Sequence, residues 1–129
     1  MQFGYTILYV PDVRATLQFY ERAFGFSTRF LHEAGDWGEL ETGPTKLAFC
    51  SVSMLAQMGK KTGVPDPERP CSEVALLTQD VSAAYQQALA QGAAPLQEPT
   101  QMPWGQTVAY VRDLNGFWVE LCTPMGDAG

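Results

Sequence analysis

The sequence repeats itself once, and this repeat limits the fold more than any other feature. Residues 5–15 align with residues 73–83 at a constant offset, since 73 minus 5 and 80 minus 12 both give 68. Residues 46–51 align with residues 118–123 at a second offset, since 118 minus 46 and 122 minus 50 both give 72. Two copies of one supersecondary unit are the simplest source of such self-similarity, so the sequence predicts two modules of the same architecture.

Each copy has the pattern of a strand, a helix and three further strands. The β-prone run 4–10 precedes Asp12, a good N-cap residue, and an amphipathic helix that ends at Gly25; the run 72–78 and Asp80 begin the second copy in the same way. The further strands are predicted near residues 27–33, 37–42, 46–52, 95–102, 106–112 and 117–123. The predicted fold class is therefore α+β, with two tandem βαβββ modules.

A segment rich in Gly and Pro separates the two copies. Residues 53–70 contain Gly59, Gly63, Pro65, Pro67 and Pro70, a density of Gly and Pro that is typical of a linker. A short helical turn is predicted near residues 54–58, and a linker of this composition is also able to act as a flap. The predicted organisation is one domain over residues 1–129, with module 1 at about 1–52, the linker at about 53–70 and module 2 at about 71–125.

Strand alternation separates a helix-facing side from a ligand-facing side. In the last strand Glu120 stands alone among apolar residues, after a hairpin predicted at Asn115-Gly116. Glu120 is either on the wet face of an edge strand or in a cavity. The helix-facing set is entirely apolar: Leu8, Val10, Leu47, Phe49, Val74, Leu76, Val119 and Leu121. The opposite set is mixed, as in a binding cavity: Tyr5, Ile7, Tyr9, Lys46, Ala48, Cys50, Glu73, Ala75, Trp118, Glu120 and Cys122.

Charge and composition exclude several classes of partner. The 129 residues carry 8 Lys and Arg against 14 Asp and Glu, a formal net charge of -6. A nucleic-acid surface needs clustered basic residues, and the only doublet is Lys60-Lys61, so no nucleic-acid partner is expected. No apolar run approaches membrane-spanning length, so no membrane partner is expected either. Cys50, Cys71 and Cys122 are far apart and odd in number, which favours reduced thiols and a cytoplasmic protein.

The chain resembles the vicinal oxygen chelate superfamily, which includes glyoxalase I, bleomycin-resistance proteins and extradiol dioxygenases. The motifs are Val10-Pro-Asp-Val followed by Phe19-Tyr20-Glu-Arg-Ala-Phe-Gly-Phe26, and Val111-Arg-Asp-Leu-Asn-Gly-Phe-Trp-Val-Glu-Leu-Cys122. The resemblance implies curved mixed sheets that form a trough for a ligand, with the helices on the convex side. It also implies a homodimer that covers the exposed sheet edges, in keeping with the cost of leaving a long edge unpaired.

The resemblance also implies four positions for metal ligands, and this sequence departs from them. Carried over by the motifs, the positions are Tyr5, Ala48, Glu73 and Glu120, where the family has mostly His and Glu. Only Glu120 is the family residue, and His32, the single histidine, lies outside the set. No metal or other cofactor is expected, although Glu73, Glu120 and waters are a donor set for weak binding of a divalent ion. Without a metal the two acids repel each other, so at least one is expected to have a raised pKa.

Three functions remain open at this stage. The first is a small-molecule-binding protein that sequesters an aromatic or cationic compound in a dimeric trough without a catalytic metal. The alternative is a glyoxalase-like lyase or isomerase that uses an altered metal site or Glu73 and Glu120 as catalytic acid and base, with no glyoxalase I activity expected. The third is a vestigial pocket in a protein-association domain. The predicted ligand-binding residues are Tyr5, Ile7, Tyr9, Trp37, Ala48, Glu73, Trp104, Trp118 and Glu120.

Overall fold

Two four-stranded mixed sheets form the fold, one in each half of the chain. The computed structural model describes residues 1–125. The chain divides into two units, the first Met1–Val64 and the second from Pro65 onward. Each unit contains one βαβββ module, so the prediction of an α+β fold with two tandem modules is confirmed.

Module 1 pairs its first and last strands in parallel. Its elements are β1 (Tyr5–Val10), α1 (Val13–Phe24), β2 (Thr28–Leu31), β3 (Trp37–Leu40) and β4 (Lys46–Ser51), followed by a short helix α2 (Val52–Gln57). The strand order is β1-β4-β3-β2, in which only the β1–β4 pair is parallel. The helical turn predicted near residues 54–58 is α2, which begins two residues earlier.

Module 2 repeats this arrangement in the same register. Its elements are β5 (Glu73–Leu77), α3 (Val81–Ala90), β6 (Ala94–Gln101), β7 (Thr107–Arg112) and β8 (Trp118–Cys122), with the strand order β5-β8-β7-β6. Tyr5 pairs with Lys46 in module 1, and Glu73 pairs with Trp118 in module 2. These pairs are related by the two offsets found in the sequence, so the repeat extends to the register of the sheets.

The helix of each module packs on one face of its own sheet. The Asp12 carboxylate caps α1 by accepting a hydrogen bond from Ala15 N at 3.0 Å, as predicted for this residue. In module 1, α1 approaches β3 so closely that a Cβ on Gly38 would lie 2.6 Å from Leu17 Cδ1. Glycine is therefore required at Gly38, whereas module 2 has the small residue Ala109 at the equivalent point of β7.

The burial of alternate strand residues confirms the predicted division between the two faces. On the helix side, Val10, Phe49 and Val119 are fully buried. On the opposite face of β1, Tyr5, Ile7 and Tyr9 are each at least 40% exposed. Each module therefore places its apolar core between helix and sheet. On the other face of module 1, the β1 side chains are exposed, whereas the central Ala48 is buried.

The hairpin between β7 and β8 forms around Asn115-Gly116, but it is wider than a two-residue turn. Gly116 alone has a positive φ, at 97°. The Asp113 carboxylate closes the loop by accepting hydrogen bonds from Asn115 N at 2.9 Å and Phe117 N at 3.0 Å. The buried Asp113 side chain is therefore part of the turn. None of the helices among residues 1–125 has both the length and the apolar character needed to cross a membrane.

Candidate ligand-binding site

Two carboxylates and two aromatic rings share the open face of the module 2 sheet. Glu120 lies in the middle of β8, and its cross-strand partners are Ala75 on β5 and Tyr110 on β7. Glu73 pairs with Trp118, one step along the same face. The sequence predicted Glu73, Trp118 and Glu120 for this face; Tyr110, which occupies its centre, was missed.

Tyr110 joins the two acids. Its hydroxyl donates a hydrogen bond to Glu120 Oε1 at 3.0 Å, and it also acts on the pKa of Glu73. Glu73 is exposed, and partial desolvation, followed by the negative charge of Glu120, raises its pKa above the ordinary value, while the interaction with the Tyr110 hydroxyl lowers it. The raised pKa expected for one member of the acid pair therefore falls on Glu73. Burial and the hydrogen bond to Glu120 raise the pKa of Tyr110 to about 12.

Trp118 forms the aromatic wall beside these acids. Its ring centroid lies 5.3 Å from that of Tyr110, with the planes tilted by 57°. The indole Nε1 donates a hydrogen bond of 2.6 Å to the carbonyl oxygen of Pro67. The side chain is thus fixed by a ring contact on the sheet and by a polar contact to the chain segment that precedes β5.

Cys122 occupies the far end of this face and is not a reactive thiol. It is 3% exposed. Burial first, and then the charge of Glu120, raise its pKa to about 11. Because the thiolate is the nucleophilic form, a thiol with this pKa stays protonated and inert at neutral pH.

Among residues 1–125, no basic side chain forms an ion pair with the two acids of module 2. The ion pairs of 4.0 Å or less at Arg29, His32 and Lys46 involve acids of module 1, and none between described residues involves Glu73 or Glu120. Arg112 is the nearest basic residue by register, since it pairs with Trp118, yet it makes no such contact with Glu73 or Glu120. The face therefore presents two carboxylates and a phenol without an internal counter-ion.

The acidic cluster is an open face, and the neighbouring cavity is separate from it. A cavity of about 370 Å³ lies between Pro65, Pro67 and the hairpin residues Asp113–Gly116, with Arg112 on its wall. Neither Glu73 nor Glu120 lines this cavity. The site is defined by convergent side chains and not by enclosure within the unit.

Module 1 presents aromatic residues on its own open face. Tyr5, Ile7 and Tyr9 alternate along β1, and Tyr5 contacts Trp37 edge to face, with ring centroids 5.9 Å apart and planes at 75°. Ala48 lies at the centre of this face and is fully buried. The sequence predicted all five residues for a ligand-binding face, and the register of β1, β3 and β4 places them on one side of the sheet.

An acid that sequence reasoning missed lies among these aromatic residues. Glu39 pairs with Ala48 across β3 and β4 and is only 6% exposed. Its Oε1 accepts a hydrogen bond from Arg29 Nη1 at 2.7 Å, and its Oε2 accepts one from Trp37 Nε1 at 2.8 Å. The alternation of Trp37 and Glu39 along β3 was the available signal, because residues two apart on a strand share a face.

A family model decides what kind of protein this is. The model for the Glyoxalase/Bleomycin resistance protein/Dioxygenase superfamily matches residues 2–121. The chain belongs to this superfamily. The resemblance found in the two sequence motifs is therefore confirmed, whereas a comparison with curated proteins gave no match.

Several solved structures have the same fold. A glyoxalase-related enzyme from Fulvimarina pelagi superimposes with a TM-score of 0.81 at 20% identity, over 95% of this chain and 88% of that one. A glyoxalase/bleomycin resistance protein/dioxygenase from Nocardioides gives 0.76 at 18% identity, over 98% and 85%. TioX from Micromonospora sp. ML1 gives 0.73 at 23% identity, over 95% and 98%. At these identities the likeness extends to the fold alone.

The residues present do not fit the metal site that the superfamily implies. Ala48 has no donor atom, and both oxygens of Glu39, its neighbour on the same face, already accept hydrogen bonds from Arg29 and Trp37. Within the described part of the chain, no three His, Cys, Asp or Glu side chains come together as a possible metal site. Only Glu73 and Glu120 remain as carboxylate donors, fewer than the three protein ligands that catalytic zinc sites keep.

Trp104 lies apart from the other predicted ligand-binding residues of module 2. It is in the turn between β6 and β7, is 59% exposed, and donates from Nε1 to Gln106 Oε1 at 2.7 Å. Glu120 is in the middle of β8, and no hydrogen bond or ring contact between described residues joins it to Trp104. In module 2, the aromatic side chain beside the two acids is therefore Trp118.

Proposed function

We propose that this superfamily member is a small-molecule-binding protein that holds a cationic or planar aromatic compound without a catalytic metal. The observation that carries the proposal is the module 2 face, where Glu73, Glu120 and Tyr110 meet Trp118 and none of the basic residues that the structure describes pairs with the acids. A bound cation would supply the missing counter-ion. Its N–H groups would donate to carboxylate oxygens that can only accept.

The aromatic rings support the same class of ligand. A cation placed over the face of a Trp or Tyr ring is attracted by the ring quadrupole, by about 0.5–2 kcal/mol depending on how far it is desolvated. Trp118 and Tyr110 stand beside the two carboxylates, and Tyr5, Tyr9 and Trp37 line the face of module 1. Planar cations satisfy both kinds of contact, so they are the first compounds to test.

Binding is tested with the purified protein and a panel of probes. Proflavine represents planar cations, spermidine represents aliphatic amines, and anthracene-2-sulfonate represents planar anions. We expect proflavine to quench tryptophan fluorescence and to raise the melting temperature, and the sulfonate to do neither, because the acids repel it. A panel in which no probe produces either effect would contradict the proposal.

Substitution of one acid locates the binding. Glu120→Gln keeps the shape of the side chain and its acceptor for Tyr110 but removes the charge, and we expect it to weaken proflavine binding about tenfold. Glu98→Gln is the matched control, since Glu98 is an exposed acid on β6 and its removal changes the net charge equally. Equal loss in both variants would mean that net charge, not the site, attracts the probe.

A second candidate is an acid–base enzyme, favoured by the raised pKa of Glu73 beside the hydroxyl of Tyr110. A carboxylic acid and a carboxylate held on one face are able to deliver and accept a proton in a lyase or isomerase reaction. Turnover lost in Glu73→Gln while ligand binding is retained would favour this candidate. We expect no activity on a glutathione hemithioacetal. One divalent ion per chain in protein purified without chelator, lost in Glu120→Gln, would overturn the metal-free assignment.

Assembly and location complete the proposal. β1 and β5 are each an edge strand of their own sheet, and β1 carries exposed Tyr5, Ile7 and Tyr9, which supports a homodimer as the working form. Light scattering after size-exclusion chromatography should give twice the chain mass of 14.2 kDa. Cys50, Cys71 and Cys122 are free thiols, which supports a reducing, cytoplasmic location.

A further inference from the structure

Glu39 is a charged residue in an unusual setting, and all its side-chain contacts lie on the open face of module 1. It is 6% exposed, and its two oxygens bind two different donors, Arg29 and Trp37. Taking a carboxylate out of water is costly unless its partners are well placed. Since a neutral residue would fill the same space at lower cost, the arrangement calls for a role beyond packing.

A β-bulge brings Arg29 to this acid. Thr28 pairs with Leu40, and Phe30 pairs with Glu39, so two residues of β2 advance against one of β3. The extra residue interrupts the regular alternation of side chains and so changes the direction in which they point, as β-bulges do. The Arg29 Nη1 consequently lies 2.7 Å from Glu39 Oε1, while its Nε is a looser 3.6 Å from Glu41 Oε2. Arg29 thus fixes one oxygen of Glu39 and leaves the other for a second donor.

The second donor is the indole of Trp37, which has a single strongly directional contact. Trp37 is partly exposed, and its ring touches the half-exposed ring of Tyr5 edge to face. A ring contact of this kind tolerates rotation, whereas the 2.8 Å hydrogen bond from Nε1 to Glu39 Oε2 defines the plane of the indole.

We propose that Glu39 is a positioning residue, which fixes the plane of the Trp37 indole on the ligand face of module 1 and is itself fixed by Arg29. The consequence for binding rests on the proposed function. The consequence for the orientation of Trp37 does not, so the two are measured separately.

The decisive variant removes the ion pair without leaving a buried charge. In a background of Trp104→Phe and Trp118→Phe, Trp37 is the only tryptophan of the three in the chain. Arg29→Met with Glu39→Met then replaces the pair by apolar side chains of similar length, an exchange that is often neutral for stability. We expect an unchanged or higher melting temperature, a lower fluorescence anisotropy of Trp37 and a weaker near-ultraviolet circular dichroism signal.

Two controls separate positioning from general effects on the fold. Glu41→Gln removes the looser contact of Arg29, at a residue whose side chain is 54% exposed, and should leave Trp37 unchanged. Glu39→Gln combined with Arg29→Met retains an amide oxygen that accepts from the indole and leaves no guanidinium to compete for it, so this pair should restore the anisotropy that the methionine pair loses. Unchanged Trp37 signals in the methionine pair, an equal loss in Glu41→Gln, or no rescue by Glu39→Gln with Arg29→Met would each overturn the proposal.

A further measurement needs no substitution and therefore does not depend on a variant folding. In the native protein labelled with ¹⁵N, the indole proton of Trp37 should exchange with solvent more slowly than that of Trp104, which is 59% exposed and bonded to a neutral amide. Exchange of both protons at the same rate would overturn the proposal.

Binding is then compared in the same background. Proflavine should quench Trp37, and the methionine pair should weaken this binding about tenfold, since a freely turning indole loses the entropy advantage of preorganisation. If proflavine fails to quench Trp37 even in the background protein, the proposed function fails at this face. The anisotropy and exchange measurements still decide the role of Glu39. Weaker quenching with unchanged anisotropy would also overturn the positioning role.

Discussion

The two modules place an acid at the centre of their open faces in different ways. Glu39 and Tyr110 occupy equivalent positions, since Glu39 pairs with Ala48 on β4 and Tyr110 pairs with Glu120 on β8. Module 1 thus has its acid, Glu39, on β3 and a small residue, Ala48, on β4. Module 2 has a phenol, Tyr110, on the equivalent strand β7 and its acid, Glu120, on β8.

The charges of these acids are balanced differently. In module 1, Arg29 and the indole of Trp37 satisfy both oxygens of Glu39. In module 2, Glu120 accepts from the neutral Tyr110 and lies close enough to Glu73 to raise the pKa of that residue. The acid of module 1 therefore has both oxygens satisfied within the protein, whereas the acids of module 2 have no counter-ion among residues 1–125. The same βαβββ module accommodates both arrangements of acids, because the side chains on its open face are not part of the apolar core.

The largest effect that would sharpen this comparison is expected from Arg29→Met. Loss of the guanidinium leaves the buried Glu39 carboxylate with one hydrogen bond, and we expect a loss of about 2 kcal/mol in the free energy of unfolding. The effect stays below that of a fully buried pair, because the Arg29 side chain is 46% exposed. Urea unfolding at pH 7 measures it.

Glu120→Gln is the counterpart in module 2. It removes a charge that repels Glu73, so it should leave the free energy of unfolding unchanged or slightly higher. If Arg29→Met and Glu120→Gln lowered the free energy of unfolding equally, the distinction between an acid satisfied within the protein and one without a counter-ion would be wrong.

A smaller effect is expected on the titration of Tyr110. Its pKa is raised to about 12, first by burial and then by the hydrogen bond and charge of Glu120. In Glu120→Gln the charge is gone but burial remains, so the pKa should fall toward, without reaching, the ordinary value of 10.0. Titration of ¹³C-labelled tyrosine, assigned with Tyr110→Phe, follows this change. A pKa that is the same in both proteins would mean that Glu120 does not act on Tyr110.

The smallest effect is expected from Glu73→Gln, and it depends on pH. The pKa of Glu73 is raised in the fold above its ordinary value of 4.5, so the native protein loses stability as the pH rises through the raised pKa, and below the ordinary value the effect disappears. Glu73→Gln should therefore be more stable than the native protein at pH 7, by less than about 0.5 kcal/mol because the exposed side chain is screened. At pH 3 the two should be equal. A gain that persists at pH 3 would point to packing instead of charge.

Local patterns predicted much of what the structure contains. Alternation along β8 placed Trp118, Glu120 and Cys122 on one face, and the Asp12 and Asp80 caps marked where α1 and α3 begin. These features depend on neighbours within a few residues, which the sequence displays directly. The Asn115-Gly116 turn was placed correctly for the same reason, although the closing role of Asp113 was not foreseen.

Contacts between strands could not be predicted from the sequence. Arg29 and Glu39 are ten positions apart, and nothing local indicates the bulge that brings them together. Tyr110 faces Glu120 because of the pairing of β7 with β8, which depends on the hairpin closing at Asp113 instead of one residue later, at Leu114, as a two-residue turn would. Trp118 depends on Pro67, a contact across 51 positions.

The sequence alone determined two βαβββ modules and a lone acid on the ligand side of the last strand, because the repeat and the alternation of strand residues are local and periodic. Only the tertiary structure decided which acids are satisfied. Register and the β2 bulge give Glu39 a guanidinium and an indole, and the same register leaves Glu73 and Glu120 with a phenol. A hydrogen bond forms or is lost when the donor–acceptor distance changes by a few tenths of an ångström, and such distances are fixed only when distant strands pack together.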